Sequence, residues 1–391
     1  MKKAIRSAFL ILFFSFCAQA ERFSFDSSNP LGILAQIGWS LNSIDNQKFP
    51  FVAAGESCAS WYSVDGNDWS YSATRFPSCS GGSIRSVVYG NGTWVAAGAL
   101  SSGSGCGLWW SKDGQTWTRA VCANNGGGNS NFQLYSAAYG NGNFWVGGEK
   151  EGAGSGVSFY GLKSADGVSW QYFPIDTGGA NNIPDSASSS SFDSVHLFAY
   201  FGFTNSVTGN ISKFDSDKGT WSQNGDGDIL PNIPSSMKNV FALKSGNVIS
   251  FGDDVNGGGA ISVFSGGVWG AQTATTTSTR INAMAEGADK ILALGNVCTL
   301  DYTSDLTGLS GWIGFSGTPI TVNGCLGLHW SAASYNAGLK LYALGSTGTG
   351  ASNPSTFAVS STGAPGDWKL IPITQSGTPG PAVLSIAAKK N

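Results

Sequence analysis

The sequence predicts an all-β fold, a seven-bladed β-propeller of four-stranded blades in a ring closed by a C-terminal strand. Three observations carry this expectation. An Asp-Gly turn followed by tryptophan recurs along the chain, a Gly/Asn turn between apolar strands recurs ahead of it, and the composition is poor in helix formers. Charged residues make up only 12% of the 391 residues while Gly numbers 56 and Trp 14, so turns and aromatics outweigh the Glu, Lys and Leu that build helices.

The tryptophan turn is clearest in Ser63-Val64-Asp65-Gly66-Asn67-Asp68-Trp69, in Ser111-Lys112-Asp113-Gly114-Gln115-Thr116-Trp117 and in Ser164-Ala165-Asp166-Gly167-Val168-Ser169-Trp170. Asp-Gly favours a tight hairpin in which both central residues take positive φ. The Asp carboxylate can also accept nearby backbone N–H bonds, and the Trp buries a large face where the next strand begins. Weaker copies end at Trp221, Trp269, Trp312 and Trp368, keeping a spacing of roughly 50 residues, the length of one blade.

Ahead of this turn lies the second element. Tyr89-Gly90-Asn91-Gly92-Thr93-Trp94-Val95-Ala96-Ala97-Gly98 matches Tyr139-Gly140-Asn141-Gly142-Asn143-Phe144-Trp145-Val146-Gly147-Gly148, with later versions around Gly246, Leu292 and Leu344. Each repeat therefore reads as strand a, a Gly/Asn turn, strand b, a variable loop, strand c, the Asp-Gly hairpin and strand d, which is a propeller blade.

These motifs resemble the Asp-box (BNR-like) repeat of sialidase-type and other exported bacterial propellers, over about residues 49–391. The turn departs from the usual box by lacking the residue between Asp and Gly. The resemblance implies that the box is structural and lies opposite the ligand face, so Asp65, Asp113 and Asp166 are expected to serve folding. It also implies a sialidase's needs: three converging arginines, a Tyr/Glu nucleophile pair and an Asp acid. Beyond the leader the chain offers Arg22, Arg75, Arg85, Arg119 and Arg280, of which only Arg85 and Arg280 stand where an inner strand begins. Sialidase chemistry is not expected.

The first repeat opens at strand b, Phe51-Val52-Ala53-Ala54-Gly55, and a spare strand, Ala382-Val383-Leu384-Ser385-Ile386-Ala387-Ala388, remains at the C-terminus. The C-terminus is therefore expected to supply strand a of blade 1 and hide its edge; Ile37 to Asn42 is the rival segment. Residues 49–391 are read as one domain and 21–48 as a segment of uncertain role.

Residues 1–20 read as an export signal: basic Lys2, Lys3 and Arg6, an apolar run from Ala8 to Cys17, and the small-x-small site Ala18-Gln19-Ala20. The run is too short for a membrane span, and bulky Phe16 argues against a lipidated Cys17. The expected location is secreted or periplasmic, with no transmembrane segment. With 24 acidic against 21 basic groups, three of the latter in the leader, nothing marks nucleic acid as a partner.

Six cysteines remain beyond Cys17. Cys58, Cys106 and Cys298 each follow a strand b, and Cys79, Cys122 and Cys325 each follow a strand d. In a blade of alternating strands those two loops share a face, which selects Cys58–Cys79, Cys106–Cys122 and Cys298–Cys325. Zinc ligation lacks a C-x-x-C pair or a nearby histidine.

The two histidines bring no nucleophile elbow with them. His196 is assigned to strand a of the fourth repeat as a core or channel residue, and His329, with Trp330, to a ligand-facing start of strand a in the seventh. Aligning the inner strands places Arg85, Tyr135, Asp193, Asn239, Asn282, Ser331 and Leu384 around the channel mouth. Asp226 and Asp228, at alternate positions of a Gly-rich turn, are calcium candidates, as is the turn at Asp253; no other cofactor is expected. The function expected is non-enzymatic binding or assembly by a monomer that recognises a glycan or a protein partner. A glycan-active enzyme, glycosidase or lyase, is the alternative. Intact-mass measurement of the exported protein should find Glu21 at its N-terminus.

Overall fold

In the computed structural model the described residues are 49–389, apart from 73–75, 80, 101–104, 123–130, 151–157, 175–185, 205–207, 218–219, 222–232, 235–238, 254–257, 272, 275–279, 315–320, 326, 349–353 and 376–377. The export signal, residues 21–48 and the calcium candidates Asp226 and Asp228 lie outside them.

The chain is all β, and its sheets form seven blades. Blade 1 orders as Val383–Ala388, Phe51–Gly55, Ser60–Ser63 and Trp69–Tyr71 from the inside outward. Blade 2 is Ser83–Gly90, Thr93–Ala99, Leu108–Ser111 and Thr118–Arg119, and blade 3 is Asn131–Gly140, Asn143–Lys150, Ser158–Ser164 and Ser169–Pro174. Blade 4 is Ser186–Asp193, Phe198–Thr204, Thr208–Asp215 and Thr220–Trp221; blade 5 is Asn239–Ala242, Val248–Asp253, Gly259–Ser265 and Val268–Trp269. Blade 7 is His329–Asn336, Leu341–Thr347, Thr356–Ser360 and Lys369–Pro372.

The C-terminal strand closes the ring as expected. Phe51 pairs with Ala388, Val52 with Ala387 and Ala53 with Ile386, antiparallel. The inner edge of blade 1 is thus covered by a strand more than 300 residues away in sequence.

Blade 6 departs from four strands. Ile281–Glu286, Ile291–Gly295 and Leu300–Thr303 form its sheet, and among the described residues the place of strand d is held by a single bridge, Tyr302 to Ile313. Gly311 (φ 68°) and Gly314 (φ 106°) flank that bridge, and neither conformation is extended.

The Asp-Gly turn is not the two-residue hairpin its sequence suggests. Gly66, Gly114 and Gly167 have positive φ, but the aspartates before them do not. Instead Asp65 Oδ1 accepts the N–H groups of Asn67 (2.8 Å) and Asp68 (2.9 Å), while Ser63 Oγ accepts that of Gly66 (2.8 Å). The Trp69 indole closes the loop by donating to Gly66 O at 2.7 Å. Asp113 and Asp166 repeat the carboxylate contacts. Burial pushes these carboxyls up, but the N–H and serine bonds outweigh it and hold all three below the ordinary carboxylate range. Two successive positive φ values are found instead in the a–b turns Asn91-Gly92 (45° and 68°) and Asn141-Gly142 (47° and 69°), and in the c–d turn of blade 5 at Gly266-Gly267 (61° and 86°).

Blades meet through their side chains. The apolar clusters straddle neighbours: Phe76, Trp94, Trp109 and Trp117 sit with Val52 and Ala54 between blades 1 and 2, and Trp61, Phe357 and Val383 lie between blades 7 and 1. Gly90 and Gly140 owe their identity to this packing, because a Cβ at either would collide with the ring of Tyr139 or Phe192 from the next blade. The inner strands are also linked directly. Ser385, Ser86 and Ser191 accept, through Oγ, the backbone N–H of Val87 (3.0 Å), Ala137 (3.0 Å) and Ala242 (2.8 Å), each in the following blade.

One core position is out of keeping with this apolar packing. Asp301 in strand c of blade 6 occupies the place of Trp61 in blade 1, Trp109 in blade 2 and Leu162 in blade 3, and is only 5% exposed. Burial pushes its carboxyl up to about 7. A raised folded-state pKa favours the protonated native form, so the stability it confers is lost as pH rises through about 7. Denaturant midpoints at pH 5 and pH 8 should therefore differ more in the natural protein than in Asp301→Asn, by on the order of 2 kcal/mol.

Candidate binding site at the channel mouth

The inner strands share a device that the sequence did not reveal. In blade 2 Ile84 pairs with Gly98 and Ser86 with Ala97, so Arg85 is bulged. The same one-residue bulge falls at Tyr135, Ser188, Asn282, Ser331 and Leu384 in blades 3, 4, 6, 7 and 1. A bulge inserts one residue, bends the strand and re-aims a side chain. Repeated at the start of successive inner strands, it rims one end of the channel. The structure brings Arg85, Tyr135, Asn282, Ser331 and Leu384 to equivalent rim positions.

Asp193, Asn239 and Trp330, expected at the mouth, do not stand on the rim. Asp193 is the last residue of its strand, five positions beyond the bulge, and therefore belongs to the opposite end of the channel. It is fully buried and serves the turn: Oδ1 accepts the N–H groups of Val195 (2.8 Å) and His196 (3.3 Å), and Oδ2 holds His196 Nδ1 at 2.6 Å. His196 is accordingly a turn residue with an exposed ring rather than a member of strand a. Asn239 pairs with Phe251 as Ser86 pairs with Ala97, so it stands one residue past the rim position, which at 238 is outside the described residues. Trp330 is fully buried among Leu344, Leu294 and Trp368 between blades 6 and 7, where it packs and presents nothing to a ligand. His329 begins strand a of blade 7, half-buried, opposite Thr347.

At the rim the Arg85 guanidinium lies 4.1 Å from the centroid of the Tyr135 ring, a cation–π contact across the boundary between blades 2 and 3. The Tyr135 hydroxyl donates to Gln133 Oε1 at 3.2 Å. Around the ring, Asn282 Nδ2 donates to Asn296 Oδ1 at 2.8 Å, and Ser331 Oγ donates to the carbonyls of Gly345 and Val383, joining blade 7 to blade 1. Arg280 Nε faces Asp253 Oδ2 at 3.8 Å. The surface is one of amides, hydroxyls and a single aromatic-backed cation, equipped for hydrogen bonding.

The same face carries the disulfides. Cys58–Cys79, Cys106–Cys122 and Cys298–Cys325 are bonded, each tying the loop after strand b to the segment after strand d of one blade. Among the described residues no three His, Cys, Asp or Glu side chains converge as a metal site, and no helix is long and apolar enough to cross a membrane.

No family model matches this sequence, and no curated protein matches it either. Solved structures do resemble it. The structure described as YCF48 bound to D1 peptide aligns with a TM-score of 0.51 at 17% identity, covering 76% of this chain and 82% of that one. The Dos1 propeller gives 0.47 at 12% identity over 78% and 86% of the two chains, and Kuenenia stuttgartiensis hydrazine synthase 0.48 at 10% over 73% and 77%. At such identities the likeness to YCF48 establishes the shared propeller fold; the Asp-box resemblance finds no family match.

Asp193→Ala removes the acceptor of the Val195 and His196 N–H groups and should cost about 0.5–1.5 kcal/mol, whereas Asp193→Asn keeps an acceptor and should cost less. Chemical denaturation of the two variants compares them directly.

Proposed function

We propose that this chain is an exported, non-enzymatic binding or assembly propeller of the Asp-box kind, recognising a glycan or protein partner through its disulfide-stapled face. The observation that carries the reading is the convergence on one face of the rim bulges, which re-aim side chains, and of the three disulfides, which hold the surrounding loops. Such loops lose little conformational freedom on binding. The YCF48 propeller, similar in fold, is seen with a peptide bound, which supports a binding role for a ring of this kind. The rim residues described include no nucleophile hydrogen-bonded to a base, and the His196–Asp193 pair belongs to the far end of the ring.

The test places a photo-crosslinker either at Asn323, exposed beside Cys325, or at Leu339, exposed in the a–b turn of blade 7. Partner adducts from position 323 and none from 339 are expected. Adducts from 339 alone would move the binding face to the opposite end, and sialoside or aryl-glycoside hydrolysis that survives purification would overturn the non-enzymatic reading.

A further inference from the structure

The geometry points to Arg85 as the receptor for the carboxylate of an acidic glycan, a uronate unit entering the channel mouth. This inference rests on the binding-face reading above and supplies the chemistry of its ligand.

Among the described residues Arg85 meets no acceptor. Its Nη1 is enclosed and makes no hydrogen bond, and the ion pairs of the described residues involve Arg280, Lys290 and His196 but not Arg85. Among the described residues its specific contact is the face of Tyr135, which attracts the charge and orients the guanidinium without satisfying any N–H. Half-buried and with no protein acceptor among the described residues, the guanidinium keeps its open N–H groups available to a counter-charge from outside the chain. A carboxylate does so with the planar geometry that suits the exposed edge of the fork.

The rest of the rim decides what carries that carboxylate. Asn282, Asn296 and Ser331 bear neutral groups that both donate and accept, as sugar hydroxyls require. A peptide binding by strand addition would need open backbone N–H groups on the inner edges of the ring. Those of Val87, Ala137 and Ala242 are already taken by serine hydroxyls from the preceding blades. Arg280 already faces Asp253, which leaves Arg85 as the one described rim cation with no carboxylate beside it; a single open cation matches a sugar acid better than a polyanion, which would call for several basic side chains.

Isothermal titration of the full mature chain with oligogalacturonate, the uncharged oligogalactose of the same linkage, and oligoglutamate tests the assignment. Oligogalacturonate should bind, oligogalactose should not, and Arg85→Gln should weaken the acid roughly ten- to hundredfold, the range of a charge-assisted hydrogen bond. Arg85→Lys, which keeps the charge and loses the fork, should fall between, with both variants unfolding at the wild-type midpoint. Unchanged affinity in Arg85→Gln, equal binding of the uncharged sugar, or Arg85-dependent binding of oligoglutamate in place of the uronate would each overturn it. So would binding of none of the three. In that last case, crosslinked adducts at position 323 would show that the binding face survives and only its ligand was misassigned; their absence as well would overturn both.

Discussion

The pairing of the first and last strands is the constraint on which the ring depends. Phe51–Gly55 is fully buried, yet one of its two edges is covered only by Val383–Ala388. Without that partner blade 1 would present an unpaired edge and open the apolar layer that Trp61, Phe357 and Val383 build with blade 7. Asn336 reinforces the seam, its amide donating to the carbonyls of both Pro50 and Lys389. Chain ends usually fray; here the described C-terminal strand is part of the core.

Closure sets the channel, and the bulges set what the channel presents. A regular inner strand would alternate its side chains between the two neighbouring blades. One extra residue near the start breaks that alternation and frees a position from packing. The freed position can differ from blade to blade, and does: Arg, Tyr, Ser, Asn, Ser and Leu occupy it. The serine bonds just beyond fix the spacing of the inner strands, so the rim is variable chemistry on an invariant frame.

Much of that frame was legible in the sequence because it recurs. The tryptophan turns placed the blades, the spare strand at the end placed the closure, and cysteines at repeated positions placed the disulfides. What failed did so where repetition fades. Ser186–Asp193 reads SASSSSFD, with no apolar alternation to mark its register and no glycine turn after it, so nothing in the letters distinguishes the strand's start from its end. Asn239 stands one residue off because the a–b turn of blade 5 holds Lys244-Ser245-Gly246 between the bonded Leu243 and Asn247, one residue more than Asn91-Gly92 between the paired Gly90 and Thr93. The turn around Asp305 kept the box's physics under different letters: Asp305 accepts from Thr307 N and Ser310 N, and Trp312 donates to Gly308 O, as Trp69 does to Gly66. Chemistry survived there after the motif had gone.

The two faces of the ring are fastened by different means. Covalent sulfur bridges staple the mouth, while the hairpin face relies on ionised side chains, with Asp65, Asp113 and Asp166 each holding a loop together most strongly while deprotonated. A reducing environment therefore acts on one face and acid on the other, the latter once pH falls through the lowered pKa of those carboxyls. The disc has a chemical polarity, with a redox-sensitive side and a proton-sensitive side, built from repeats that are alike in backbone.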